Sequence, residues 1–163
     1  MSTLLSDTIS FLRSDSETEV TQAATRLGLL LERGRFRRRG TGTLGDVDAI
    51  LGDLVDTVLS PADEVDVLIG LRAHLGERGP RANPTVIWAI GKALDEESLG
   101  LVADVAAQAM DDPEQGDVVR QALVTISATA PGAYKDLFLR ASREAAGDLA
   151  DFAAQQVSIH GWS

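Results

Sequence analysis

Apolar side chains recur three and four positions apart along most of the chain, while the alternation typical of strands is nearly absent. The most regular stripe belongs to a helix predicted to begin at Thr43, with Asp46, Asp53 and Asp56 on its opposite side. The apolar members of this stripe are Leu44, Val47, Ile50, Leu51, Leu54, Val55 and Val58. Such a stripe is typical of an amphipathic helix that lays one face on a core. The pattern therefore predicts an all-α fold.

The second predicted helix begins at a capping box, in which Ser16 is followed three residues later by Glu19. We expect this helix to stop near Gly34. An arginine-rich stretch and the flexible triplet 40–42 separate it from the helix that begins at Thr43. Residues 33–43 are therefore predicted to form a basic loop between two helices.

Proline after a capping residue marks three further helix starts, because proline at the first helical position has no N–H to lose. These starts are Ser60-Pro61, Asn83-Pro84 and Asp112-Pro113. The apolar stripe of the first of these helices consists of Val65, Leu68, Ile69 and Leu75. Residues 131–158 fit either one helix or two helices broken at Gly147-Asp148. Stripes and caps together predict an antiparallel array of seven to nine helices.

Predicted helix starts recur at intervals of roughly 35–44 residues, which is the rhythm of two-helix repeats. Residues 86–126 resemble bacterial HEAT repeats, including the short type related to phycobilin lyases. Trp88 to Asp95 is similar to the first helix of a unit and Leu99 to Met110 to the second, followed by an inter-repeat turn at Asp111 to Pro113. Val119 to Ala122 resembles the start of the next unit.

This resemblance implies antiparallel hairpins stacked as a short HEAT-like α-solenoid, in which neighbouring pairs bury each other's apolar faces. Periodicity alone does not reject a helical bundle without repeats. We expect a single domain over residues 1–158, followed by a short tail at 159–163. The family is mostly one of binding scaffolds, so the resemblance implies a bacterial protein that binds other proteins.

The composition excludes several classes of chemistry. The chain has no cysteine, which removes disulfides, thiolate chemistry and cysteine-based zinc sites. No run approaches the roughly 18 apolar residues of a membrane span, and the first fifteen residues lack the basic region of a signal peptide. We therefore expect a cytoplasmic protein that does not associate with membranes.

The net charge of −10 is unevenly distributed. A single short run holds five of the fifteen basic residues: Arg33, Arg35, Arg37, Arg38 and Arg39. The remainder of the chain has 10 basic residues against 25 acidic ones, or −15. Such a body repels nucleic acid and attracts cationic partners over about a Debye length. The alternative interpretation is that acidity only keeps a small protein soluble.

No recognisable catalytic constellation is present. The chain contains two histidines, and we expect the first, His74, to be an incidental surface or boundary residue because it lies away from the predicted stripe of its helix. The sequence lacks the metalloprotease, nucleophile-elbow and P-loop motifs. Acidic pairs fall at helix starts, where the helix dipole favours them. The sequence therefore predicts a protein that is not an enzyme and needs no metal or cofactor.

Two features are candidates for partner binding. The first is the arginine run, in which Phe36 stands among guanidinium groups that suit phosphate or carboxylate. The second is Trp88, predicted to project toward Lys92 and away from its apolar stripe, as an interface anchor would. A solvated loop and packing against the next repeat are the respective structural alternatives.

Two functional hypotheses follow. The first is a non-catalytic protein-interaction module, an acidic helical scaffold that binds a protein with a basic surface. One narrower form of it is an immunity or antitoxin-type inhibitor that covers a basic effector. The alternative is a nucleic-acid-associated protein that uses the arginine-rich loop 33–39, although the acidic helix faces argue against nucleic acid. The oligomeric state is left open by the sequence.

Overall fold

A computed structural model describes residues 1–38, 47–93 and 95–163 and, for residues 35–38, the backbone alone. All regular structure in these ranges is helical, so the prediction of an all-α fold is confirmed. The nine α-helices in these ranges are α1 (Thr3–Ser10), α2 (Glu17–Arg38), α3 (Val47–Leu51), α4 (Pro61–Arg78), α5 (Pro84–Gly91), α6 (Glu96–Ala109), α7 (Gly116–Ser127), α8 (Lys135–Glu144) and α9 (Gly147–His160). Short 3-10 turns follow or precede several of them.

The predicted caps are present at α4 and α5, whereas Asp112 caps a 3-10 turn and α7 begins only at Gly116. At α2, Ser16 accepts the Glu19 N–H at 3.4 Å, but the Glu19 carboxylate accepts from the Ser14 hydroxyl and not from Ser16. Ser60 and Asp63 form a reciprocal capping box at α4, and Pro61 occupies the first turn. Asn83 accepts the Thr85 N–H at the start of α5. These side chains satisfy backbone donors that have no partner inside the helix.

Helix α2 is longer than predicted. It does not stop near Gly34 but continues to Arg38, so the prediction of a loop beginning at residue 33 is wrong. A glycine inside a helix costs about 1 kcal/mol relative to alanine without ending the helix, and arginine is a good helix former. The predicted loop residues 39–43 lie outside the described part of the chain.

The third predicted helix is shorter than its stripe. Helix α3 ends at Leu51, and Gly52 adopts a φ of +53°, which turns the chain into a 3-10 turn. Leu51 and Leu54 are fully buried, whereas Ile50 is 49% exposed. The predicted stripe is therefore wrong at Ile50 and at Val58, which is 60% exposed. The left-handed Gly52 breaks the helical phase that the pattern assumed between Leu51 and Val58. Its first member, Leu44, lies outside the described residues.

The predicted stripe of helix α4 is right at Leu75, which is buried, and wrong at Val65 and Ile69, which are exposed. Val67, Leu71 and His74 are buried as well, at i, i+4 and i+7. One of these three residues is polar, so a purely apolar pattern gives too little weight to the face that they share.

The C-terminal region consists of two helices. Chain direction changes between α8 and α9 at Ala145 and Ala146, and Gly147 has a φ of +55°. The predicted tail is partly helical, since α9 reaches His160 and Gly161 closes it in a left-handed conformation. Trp162 then packs its ring 5.6 Å from that of the buried Phe138.

The helices pack mostly against near neighbours in sequence. Helix α6 lies against α7 and α8 against α9, while α5 packs between α2 and α7. The close approach of α5 to its neighbours depends on two glycines. A Cβ at Gly28 of α2 would stand 2.4 Å from Trp88, and one at Gly91 of α5 would stand 2.6 Å from Thr125 of α7. Within the described ranges, none of the helices is long and apolar enough to cross a membrane.

Candidate partner-binding surface

Arg33 is a structural residue in this fold. Its guanidinium donates to the carbonyl oxygen of Val55 and, at 2.9 Å, to that of Thr57. It also lies 3.5 Å from a carboxylate oxygen of Asp48, and its side chain is only 12% exposed. The Arg33 guanidinium thus supplies hydrogen-bond donors to carbonyl groups after α3 that accept no helical hydrogen bond. Arg33 connects α2 to the 47–57 segment.

The rest of the arginine run divides into two parts. The backbone of Arg35, Phe36, Arg37 and Arg38 belongs to the last turns of α2. Arg39 lies outside the described residues. A role for these five residues in partner binding stays a prediction.

The structure brings Trp88 and Lys92 together, as predicted from their spacing. The Lys92 ammonium lies 4.8 Å from the centroid of the Trp88 ring and 2.9 Å from a carboxylate oxygen of Glu32 on α2. The indole lies over Gly28 and is half-buried. The ion pair with Glu32 and the packing of Trp88 on Gly28 join α5 to α2, while the cation–π contact lies within α5. These contacts match the packing interpretation of Trp88, and binding of a partner here stays a prediction.

Acidic charge is concentrated in residues 95–163, which carry twelve acidic and four basic residues. Asp95 and Glu97 share Arg72, and Asp111 and Glu144 share Arg140. Within the described ranges, the other eight carboxylates of this region have no ion pair: Glu96, Asp104, Asp112, Glu114, Asp117, Asp136, Asp148 and Asp151. Seven of the eight are exposed, and Asp112 is half-buried.

Asp95 shows how a carboxylate with an ion pair differs from the eight without one. Its oxygen accepts hydrogen bonds from Ser98 and from the Arg72 guanidinium, and these bonds lower the pKa of Asp95. Asp95 thereby caps α6 and attaches it to α4. Within the described ranges, none of the eight carboxylates without ion pairs links one helix to another as Asp95 does.

A surface cavity of about 240 Å³ lies where the α6–α7 and α8–α9 connections meet. Met110, Val119 and Leu149 supply apolar lining, and Asp112 and Asp117 are among its acidic residues. Arg120 also lines it, so the cavity is not uniformly negative. An apolar floor with nearby carboxylates can accept the aliphatic stem and cationic head of a lysine or arginine side chain.

A buried polar network was missed by the sequence analysis. His74, predicted to be an incidental surface or boundary residue, is only 2% exposed. Its Nδ1 lies 3.0 Å from the Leu12 carbonyl oxygen, and its Nε2 lies 3.0 Å from the Asn83 nitrogen. The contact to His74 comes from the Asn83 backbone N–H, and the Asn83 side-chain amide donates to Glu17, which pairs with Arg78 at 3.0 Å. In the sequence, the burial of His74 was indicated by its helical spacing from Val67 and Leu71.

Comparison with protein-family models, with curated proteins and with solved structures gave no match. The assignment to HEAT repeats consequently stays a prediction. In the described part of the chain, no group of three or more histidine or acidic side chains is arranged to hold a metal ion.

Proposed function

We propose that this protein is a non-catalytic, HEAT-like helical scaffold whose acidic C-terminal helices bind a protein with a basic surface. Helix packing supports the repeat architecture. The pairs α6–α7 and α8–α9 are adjacent, α2, α5 and α7 lie side by side, and α4 contacts α6. Two layers of sequential helices are what stacked hairpins produce.

The observation that carries the binding function is the group of eight carboxylates without ion pairs on residues 95–163. Charge of one sign on adjoining helices destabilises the compact state through self-repulsion. A partner with lysines and arginines would offset this repulsion and would be steered to the surface. The cavity beside Asp112 and Asp117 offers one place for such a side chain.

Charge neutralisation at two places provides the test. The C-terminal quartet variant changes Asp104, Glu114, Asp136 and Asp151 to their amides, one each on or near α6 to α9. All four residues are exposed and lack ion pairs within the described ranges. Its matched control, the N-terminal quartet variant, changes Asp7, Asp15, Asp53 and Asp56 to asparagine. These four aspartates are also exposed. The two variants have the same net charge.

Each variant is immobilised beside the wild type and exposed to an extract of the source cells at moderate salt. We expect a basic protein to bind the wild type and the N-terminal quartet variant. The C-terminal quartet variant should bind it about tenfold or more weakly, because four exposed ion pairs contribute ~0.2–1 kcal/mol each. Equal retention by all three proteins would contradict the proposal.

The nucleic-acid alternative has a separate signature. Arg33 is already engaged by carbonyl oxygens, which leaves four arginines of the run for phosphates. Four contacts imply a slope of log affinity against log salt of about −3.6 on duplex DNA. We expect no micromolar DNA binding near physiological salt; such binding, abolished by changing residues 35 and 37–39 to serine, would favour that alternative.

A further inference from the structure

The outer face of α4 is apolar. Six residues of this helix, all of which the structure describes, are exposed, and five of the six carry no charge: Pro61, Ala62, Val65, Ile69 and Gly76. Val65 is 55% exposed and Ile69 is 57% exposed. The solvent side of a surface helix is ordinarily charged, and a helix that is apolar on both sides is ordinarily buried. Contiguous exposed apolar surface of this kind marks an interaction site.

The charged side chains of α4 are used elsewhere. Asp63 belongs to the capping box at the start of the helix. Arg72 donates to the Ser98 hydroxyl on α6 at 2.9 Å, and Arg78 pairs with Glu17 on α2 at 3.0 Å. These contacts draw the charges toward neighbouring elements and leave the outer face to small and aliphatic side chains.

The apolar residues form a seam along the helix. They recur three or four positions apart, as in the contact line of two packed helices: Ala62, Val65, Ile69, Ala73 and Gly76. Ile69 is the centre of this seam. An antiparallel second copy of α4 crossing at Ile69 would set the bulky Val65 opposite the small Ala73, and Ala62 opposite Gly76. The seam is therefore complementary to itself.

The charges beside the seam favour the same arrangement. Asp66 and Arg13 line a surface groove of about 340 Å³ along one edge of α4. The Arg13 guanidinium reaches toward the C-terminal end of the helix, where it lies 3.9 Å from Glu77. Glu77 is eleven residues beyond Asp66, or about 16 Å along the axis. An antiparallel copy reverses this order, so Arg13 of each copy would approach Asp66 of the other.

We propose that α4 is a self-association surface, on which a second copy of this chain packs its own α4 antiparallel across a two-fold axis at Ile69. A two-fold interface requires one surface patch that is complementary to itself in shape and charge. The seam and the Asp66–Arg13 order meet both requirements. This inference does not depend on the proposed function, whose carboxylates lie on residues 95–163.

The dimer should be weak and reversible. An 18-residue helix is about 27 Å long and about 10 Å wide, so the seam covers roughly 300 Å² of each copy. Met1 and Arg13, which line the groove, enlarge this area. Stable dimers bury about 800 Å² per copy, and smaller interfaces are typical of transient complexes. The net charge of −10 on each copy also opposes association, so we expect a dissociation constant on the order of 100 µM.

Cysteine trapping tests the geometry, because the chain has no cysteine of its own. Helices 8–10 Å apart place facing Cα atoms about 4–6 Å apart, which suits a disulfide. Ile69→Cys should therefore link to itself under mild oxidation. In Val65→Cys the two sulfur-bearing residues would stand about 12 Å apart along the axis, and linking should be several times slower. Ile159→Cys, at a residue of α9 that is 64% exposed, measures random collision.

Sedimentation velocity between about 5 and 500 µM tests the association itself. The wild type should change from monomer to mostly dimer over this range. Ile69→Glu places a charge on the seam and should stay monomeric, whereas Val124→Glu on α7 should associate like the wild type. Both replaced side chains are at least 41% exposed, so both variants should fold.

Three results would overturn the proposal. The first is a wild type that stays monomeric throughout the concentration range, which would assign the outer face of α4 to a different occupant. The second is Ile69→Cys that links no faster than Ile159→Cys. The third is Val65→Cys that links as fast as Ile69→Cys, because an antiparallel pair cannot bring both residues to their own copies.

Discussion

In the N-terminal part, α1 to α4, long cationic side chains reach backbone carbonyls of other segments. Arg33 binds the carbonyl of Thr57, Arg26 that of Ile50, and Arg78 that of Ser14. In the C-terminal part, α5 to α9, helices pack closely on one another, and most carboxylates there have no ion pair with any residue that the structure describes. Irregular connections in the first part leave several carbonyls that need such donors, and in the C-terminal part Arg140 makes a comparable bond to the Ala107 carbonyl at 3.2 Å.

The contrast separates two uses of charge. In the N-terminal part the guanidinium groups of Arg26, Arg33 and Arg78 tie separate segments together, so removal of one of them should lower the free energy of unfolding. In the C-terminal part much of the charge is exposed and does not hold helices together, so its removal should change binding more than stability. Three substitutions, each with a matched control, test what holds each part together: apolar packing and the Arg33 guanidinium in the N-terminal part, and close helix contact in the C-terminal part.

The largest effect is expected at Leu51, which is fully buried in the five-residue helix α3. Leu51→Ala should lower the free energy of unfolding by about 2–5 kcal/mol because it leaves a cavity. Its neighbour Ile50 is half-exposed, and Ile50→Ala should cost much less. Denaturant melts of both variants provide the measurement. Equal costs would mean that α3 is not anchored through Leu51.

Removal of the Arg33 guanidinium should have the next largest effect. Arg33→Met keeps most of the stem and leaves the Val55 and Thr57 carbonyls without this donor, which should cost about 1.5–3 kcal/mol. Arg120→Met removes an exposed guanidinium and should stay within about 0.5 kcal/mol. Urea titration compares them. A small cost at Arg33 would contradict a structural role for it.

Close packing in the C-terminal part depends on Gly91. Gly91→Ala places a methyl group 2.6 Å from Thr125 and should cost about 1–3 kcal/mol, less the gain in helix propensity. Gly116 has open space around it, so Gly116→Ala should be neutral or slightly stabilising. Thermal melts of the two variants test the contact. A stabilised Gly91→Ala variant would show that α5 and α7 have room to separate.

Local signals predicted much of this fold. The caps at Ser60 and Asn83 act through neighbouring backbone groups, so they are readable from a few residues. The ends of α2 and α3 could not be predicted from a few residues, because glycine permits several conformations and tertiary contacts select one. Gly34 continues a helix, whereas Gly52 ends one.

The candidate site was less predictable. Spacing on one helix placed Lys92 near Trp88, but Glu32 and Gly28 come from α2 and no local pattern links them. His74 was misjudged because the burial of a polar side chain depends on partners at Leu12 and Asn83. Its position one turn beyond Leu71 was visible, yet apolar periodicity gives no weight to histidine.

Mapping the contact surface of the captured basic partner shows whether the acidic C-terminal helices bind it. Hydrogen exchange is measured on the wild type with and without saturating partner. We expect slower exchange in peptides around Asp104, Glu114, Asp136 and Asp151, with residues 1–34 unchanged. Slower exchange confined to residues 1–34, with α6 to α9 unaffected, would contradict the claim that the acidic C-terminal helices form the binding surface.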